Sequence, residues 1–226
     1  MIKDDIITIL NSQIGYKETG TNITKYSKYF DTSKKDGGAW QFFNTKKQSS
    51  EWCAILVLWA FCQIIGPDKT RAFLGLPAPA NNCAAGCKFF YDYLKNKGYK
   101  VEKTKGAPGS IVFFNTKSAK CGHVGMIVDI KDGKYYTVEG NKSNQVKKCS
   151  YVINSSTIYA ICTPDYETLE QTTPEPVTGP RVYIVKKGDT ITEIAKRLNV
   201  SIYKIKKLNP QIKNINLIYP GNKIYY

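Results

Sequence analysis

The chain is short of acid, of histidine and of long apolar runs. Against 33 lysines and arginines stand 18 aspartates and glutamates, leaving a formal charge of +15. A surplus of that size points to a polyanionic partner such as nucleic acid, an anionic membrane or the bacterial wall. Nucleic acid is not expected, because no helix-turn-helix, zinc finger or RNA-binding aromatic motif accompanies the charge. The longest apolar stretch, residues 53–66, is 14 residues against the roughly 20 needed to cross a bilayer, so no membrane insertion is expected. Residues 1–10 carry Asp4 and Asp5 where a secretory signal would carry bases, and they lack a long apolar segment. Synthesis in the cytoplasm without a signal peptide is the expectation. Seven cysteines, an odd number, include no Cys-x-x-Cys pair. A disulfide framework is therefore not expected. Cys83-x-x-x-Cys87 and Cys121-Gly-His123 have zinc-ligand residue types but not zinc spacing. Most of these cysteines read as small buried hydrophobes.

What is present is a core helix. Residues 53–62 are apolar without interruption, too long a run for a buried strand of about four to eight residues. Ser49 and Ser50 are N-cap candidates, and Gly66-Pro67 is a stop signal. Cys53 then falls in the first turn, where free N–H groups and the helix dipole favour a thiolate. Ahead of it, Ile6, Ile9 and Leu10 share one face of an N-terminal helix; behind it, residues 84–97 form an amphipathic helix ending at Gly98. Strand candidates rich in β-branched and aromatic residues follow at 110–115, 123–130, 134–139 and 157–162. Helices first and strands afterwards is an α+β pattern.

Residues 164–180 hold four prolines, four threonines, four acids and no base, which reads as an extended, semi-stiff linker. The 46 residues beyond it are basic, ten Lys/Arg against two acids. They run strand, helix opened by the capping box Thr190-x-x-Glu193, helix over Ile202, Ile205 and Leu208, and a final turn and strand. Three segments follow: a domain over 1–163, a linker over 164–180 and a small βααβ domain over 181–226.

A thiolate needs a base within hydrogen-bond reach and a third group to orient that base. The base must be His123, the only histidine, at the start of a strand. The next strand ends in Glu139-Gly140-Asn141. A two-residue turn at Asp132-Gly133 would put His123 and Glu139 on opposite faces. A three-residue loop, 131–133, would put Asn141 across from His123 with Glu139 on the same face, and this odd loop is the expectation.

Four segments carry a resemblance: 50–59 (Ser-Glu-Trp-Cys-Ala-Ile-Leu-Val-Leu-Trp), 107–114 (Ala-Pro-Gly-Ser-Ile-Val-Phe-Phe), 122–127 (Gly-His-Val-Gly-Met-Ile) and 138–141 (Val-Glu-Gly-Asn). In that order they resemble the CHAP domain, the cysteine/histidine-dependent amidohydrolase/peptidase family related to NlpC/P60 and papain-like enzymes. The resemblance implies a papain-like α+β fold that cleaves peptidoglycan, as an N-acetylmuramoyl-L-alanine amidase or a peptide endopeptidase. It implies Cys53 as nucleophile, His123 as base and then acid, Glu139 as the residue orienting it and Asn141 as a support for the imidazole. Ser110 stands where the family often has aspartate. Some members bind calcium through an acidic loop before the nucleophile; Asp31 and Asp36 do not match that spacing, so no metal and no cofactor are expected.

Tyr183-x-Val185, Gly188-Asp-Thr-Ile191, Leu198-Asn-Val-Ser201, Asn209-Pro210 and Ile218-Tyr-Pro-Gly-Asn-x-Ile224 resemble LysM. That implies binding of N-acetylglucosamine-containing glycan in a groove formed by Gly188, Asp189, Thr190 and Ile191 with Asn209, Pro210, Gln211 and Ile212. The partners implied are peptidoglycan, both stem peptide and glycan, with anionic wall polymers drawn by charge; a monomer is favoured. The combination is similar to a phage endolysin, acting at the bacterial wall after release. The alternative is a non-catalytic or structural wall-binding protein, in a virion or a conjugation apparatus.

Overall fold

A computed structural model of the chain describes residues 1–32, 42–43, 45–77, 83–172, 181–198, 200, 202–215 and 217–226. The fold joins helices to an antiparallel sheet, followed by a second, smaller unit. Helix α1, Ile2–Asn11, buries Ile6, Ile9 and Leu10, the face its sequence marks. Helix α2 spans Lys25–Thr32. Helix α3, Cys53–Ile65, buries nine of its residues and forms the centre of the main core. Its cap is Trp52, without a side-chain capping bond. The serines expected to cap it lie in a turn just before, where Ser50 N–H donates to Lys47 O and Ser49 has a positive φ of 66°. Gly66 ends α3, and Pro67 opens α4, Pro67–Leu74. The stop is therefore also a start, since proline's missing N–H costs nothing in a first turn.

The helix expected over 84–97 is divided. A 3₁₀ turn at Cys83–Ala85 gives way at extended Gly86, and α5 runs Cys87–Asn96. Cys87 thereby becomes the first residue of a helix.

Six strands follow: β1 Val101–Glu102, β2 Ile111–Phe114, β3 His123–Lys131, β4 Lys134–Glu139, β5 Lys147–Val152 and β6 Ile158–Cys162. They pair antiparallel in the order β1-β6-β2-β3-β4-β5. Neither β1 nor β5 was expected. Both are sheet edges, and β5 alternates half-buried with exposed residues, which weakens the apolar signal that identifies inner strands. Val124, Met126 and Val138 join the α3 core, while Ile127 and Tyr135 belong to a second cluster with Val112, Phe114, Ile158 and Ile161.

Beyond β6 the chain does not enter a linker at once. Tyr166–Thr172 forms helix α6. Tyr166 O–H donates to Gly109 O at 2.8 Å, Leu169 is buried with it in the main core, and Ile2 N–H donates to Glu170 Oε1 at 2.6 Å. The extended linker expected over 164–180 thus loses its first half to the core. Its remainder, 173–180, lies outside the described residues.

The small unit is βααβ: β7 Val182–Ile184, α7 Ile191–Leu198, α8 Ile202–Leu208 and β8 Lys223–Tyr225. Its own core gathers Val185, Ile191, Ile194, Ala195, Ile205 and Ile224. Helix α8 touches the larger unit, with Tyr203 against the main core and Lys207 Nζ 2.5 Å from Asp5 Oδ1. Among the described residues no single helix is long and apolar enough to cross a membrane.

Candidate active site

The position of the site depends on the register of one hairpin. The turn between β3 and β4 has two residues, Asp132 and Gly133, both at positive φ, and pairs Lys131 with Lys134 and Ile130 with Tyr135. The three-residue loop expected at 131–133 is not formed. A plain two-residue hairpin would have sent His123 and Glu139 to opposite faces. The extra residue sits instead within β3: the pairing shifts between Ile127 and Asp129, a bulge at Val128. Below it Ile127 faces Thr137 and Gly125 faces Glu139. The bulge therefore restores the parity, and His123 shares a face with Glu139.

Gly125, directly opposite Glu139, leaves the room that Glu139 uses. A Cβ there would lie 2.6 Å from Glu139 Cγ. Glu139 reaches diagonally to His123, with Oε2 2.8 Å from Nε2. Its other oxygen accepts from Thr137 Oγ1 at 2.6 Å, and Lys142 Nζ stands 3.2 Å from Oε2. The carboxylate is fully buried. Burial alone would raise its pKa, but the bonds to His123 and Thr137 and the charges of His123 and Lys142 take it down to about 2. Phe114 lies beside the imidazole, with ring centroids 5.9 Å apart.

Cys53 comes from the other side, at the first turn of α3. Close approach there requires Gly140, since a Cβ would lie 2.9 Å from Leu56 Cβ and 3.0 Å from Trp52 Cε3. Trp52 is itself fixed by Nε1–H donating to Glu18 Oε2 at 2.9 Å. The His123 imidazole is close enough to Cys53 to favour its ionised form. With Nε2 committed to Glu139, Nδ1 is the ring nitrogen left for the sulfur. The thiol of Cys87, 3.4 Å away, is the largest influence holding Cys53 well below the usual cysteine range. The imidazole and the Ala54 amide act the same way, against burial. Burial would lower the His123 pKa, yet the bonds to Cys53 and Glu139 and their charges raise it to about 9.

Asn141 is at the same end of the sheet, but its Nδ2 donates to Asn22 Oδ1 at 3.3 Å and to the Glu51 carboxylate. None of its described bonds goes to the imidazole, whose support comes from Glu139. Thr137 and Lys142, which grip that carboxylate, carried no signal as catalytic partners in the sequence. Cys87 carried none either, because its closeness to Cys53 is a tertiary contact. Among the described residues no three histidines, cysteines or acids could hold a metal ion. Asp31 is occupied otherwise, accepting from the backbone N–H groups of Lys47 and Gln48 at 2.6 and 3.0 Å. Asp36 lies outside the described residues.

In the small unit the expected glycan residues divide. Ile191 is buried in the core, and Asn209, 1% exposed, binds Ile205 O and Tyr225 O through Nδ2 and receives Tyr225 N–H on Oδ1. Both side chains are taken up by the fold, which leaves their backbone groups for any contact with glycan. Asp189 is bound by Tyr183 O–H, Lys186 N–H and Arg197, and Thr190 forms the capping box with Glu193. Gly188, Pro210 and Gln211 are exposed, and Ile212 is half-buried.

Residues 44–141 match the CHAP domain family, a span that includes Cys53, His123, Glu139 and Asn141, and residues 183–225 match the LysM domain family. The chain carries a CHAP domain followed by a LysM domain. The Endolysin of Bacillus phage B103 is 41% identical over 63 residues, 27% of this chain and 24% of that protein. SpoIVD-associated factor A of Bacillus subtilis (strain 168) is 46% identical over 44 residues, 20% of this chain and 11% of that protein. The chain thus spans a quarter or less of the length of these curated relatives. The crystal structure of Ly7917 aligns at a TM-score of 0.47 and 16% identity, over 81% of this chain and 65% of that one, a likeness too slight to bear on fold or function.

Proposed function

We propose that the protein is a peptidoglycan hydrolase in which the CHAP domain cleaves an amide bond by thiol chemistry while the LysM domain holds the enzyme to glycan. The observation that supports this is the 2.8 Å contact between the His123 imidazole and the buried Glu139 carboxylate, with Cys53 at the first turn of α3. The Cys53 thiolate attacks the carbonyl carbon, and negative charge passes to the carbonyl oxygen, where the backbone N–H of Cys53 at the start of α3 is the natural donor. As the C–N bond breaks, the His123 imidazolium gives its proton to the leaving amine, and a thioester remains. Neutral His123 then takes a proton from water, hydroxide adds to the thioester, and the Cys53 thiolate leaves as the C–S bond breaks, with the carboxylic acid as product. Glu139 keeps the ring oriented and its cationic form stable throughout.

The LysM domain binds the same polymer that carries the scissile bond. Tethering makes the second encounter intramolecular, at an effective concentration of about millimolar. The +15 charge adds attraction to anionic wall polymers, screened by salt. The site of action is the bacterial wall, and an endolysin-like lytic role fits both domains. Two scissile bonds suit this chemistry, the N-acetylmuramoyl-L-alanine amide and a peptide bond of the stem.

Purified cell walls test the proposal. Turbidity falls with wild type and is unchanged by Cys53→Ala, while wall binding persists in that variant. A Cys53→Ala protein that still clears walls refutes the thiol mechanism. Mass spectrometry of the released fragments assigns the bond, since amidase and endopeptidase leave different new termini.

A further inference from the structure

Two helices begin sulfur to sulfur. Helix α3 opens on Cys53 and helix α5 opens on Cys87, and their Sγ atoms are 3.4 Å apart, both buried. Extended Gly86 breaks the chain just before Cys87, so that Cys87 is the first residue of α5. A neutral sulfur is a poor acceptor, whereas a thiolate accepts a hydrogen bond well. The pair is asymmetric. Cys53 has the His123 imidazole and the Ala54 amide beside it. Cys87 has the Cys53 sulfur, burial and the Cys121 sulfur, all of which favour its protonated form. At 3.4 Å either sulfur could donate to the other, and these surroundings favour Cys87 as the donor.

We propose that Cys87 is a positioning residue of the thiol site, its S–H donating to the Cys53 sulfur 3.4 Å away and so fixing that sulfur at the start of α3. Three donors then surround the sulfur: the imidazolium N–H, the Ala54 N–H and the Cys87 S–H. The imidazolium must surrender its proton to the leaving amine during the reaction. Cys87 keeps its proton, so it steadies the sulfur both as attacking nucleophile and as leaving group of the thioester. This inference rests on Cys53 being the nucleophile proposed above.

The test uses the full chain, pre-reduced so that all cysteines are thiols. The rate of iodoacetamide labelling at Cys53, followed on its own peptide by mass spectrometry, is measured from about pH 4 to 9. Cys87→Ala and Cys87→Val remove the donor with different effects on packing volume, and Cys87→Ser keeps one. A hydrogen bond to a charged group changes an equilibrium by about tenfold or more. The midpoint for Cys53 ionisation should therefore rise by about one pH unit in the alanine and valine variants. Below the midpoint, labelling then slows about tenfold. Serine should restore the wild-type midpoint, which a purely structural role for Cys87 would not produce. Thermal unfolding of each variant confirms that a folded protein is labelled. An unchanged midpoint in a folded alanine or valine variant, or an equal shift in the serine variant, overturns the inference. Wall clearing by Cys53→Ala separates the two levels. If that variant clears walls, the thiol mechanism itself has failed. If clearing needs Cys53 but its midpoint ignores Cys87, only the present inference has failed.

Discussion

Gly125→Ala should disable the enzyme although residue 125 contributes no functional group. The added Cβ would lie 2.6 Å from Glu139 Cγ and 2.9 Å from Val138 O. Ordinary contact begins near 3.4 Å, so one neighbour must move by about 0.8 Å. Val138 O is fixed by the pairing of β3 with β4, which leaves the Glu139 side chain to give way. That side chain ends 2.8 Å from His123 Nε2 and 2.6 Å from Thr137 Oγ1, and a shift of this size spoils both bonds. Misplacement of a catalytic group by about 1 Å can reduce rate by about a hundredfold. Loss of wall clearing on that order is the expected outcome. The same overpacking should destabilise the domain by about 1–3 kcal/mol, or roughly 2–12 °C in Tm for a chain of this size. Clearing is measured by turbidity at a temperature where circular dichroism shows the variant folded. A folded Gly125→Ala protein that clears walls within about twofold of wild type would refute the claim that space opposite Glu139 orients the imidazole.

Wall clearing should follow a bell-shaped pH profile, with an alkaline limb near the His123 value of about 9. Glu139→Gln removes the carboxylate charge that helps raise that value, so the limb should move to lower pH; a limb that stays in place excludes Glu139 from the arrangement. Thermal unfolding against pH gives a separate check. The Glu139 contribution, with its pKa lowered from 4.5 to about 2, is present above about pH 4.5 and lost as pH falls through about 2. The His123 contribution, with its pKa raised from 6.5 to about 9, is complete below about pH 6.5 and lost as pH rises through about 9. Truncation distinguishes helix from linker: ending the chain after residue 172 should leave the CHAP domain stable. Ending it after residue 163 removes the buried Tyr166 and Leu169, an effect of at least the 2–5 kcal/mol typical of one large core deletion. Equal Tm values for the two truncations would show that α6 contributes nothing to the core.

The sequence was most legible where a signal is local and apolar. The helix from Cys53, the inner strands β2, β3, β4 and β6, and the capping box of α7 all stand near their expected positions, because periodicity and caps act over a few residues. Cys53, His123 and Glu139 stood out as candidates by type and by motif order, with His123 the only histidine available. Edge strands β1 and β5 were not legible, since a half-exposed strand lacks a continuous apolar run. The burial of the Asn209 and Ile191 side chains was not legible either, because it depends on how the small unit packs.

Sequence alone therefore marked the helix that begins at Cys53, the single imidazole at His123 and the LysM domain that follows. Tertiary structure decided how they meet. A bulge at Val128, rather than an odd turn, put His123 and Glu139 on one face, because parity along a strand depends on every paired residue and not on the turn alone. Tertiary packing likewise brought Cys87 to Cys53, a contact across 34 residues of chain that depends on how helices pack and that no local pattern encodes.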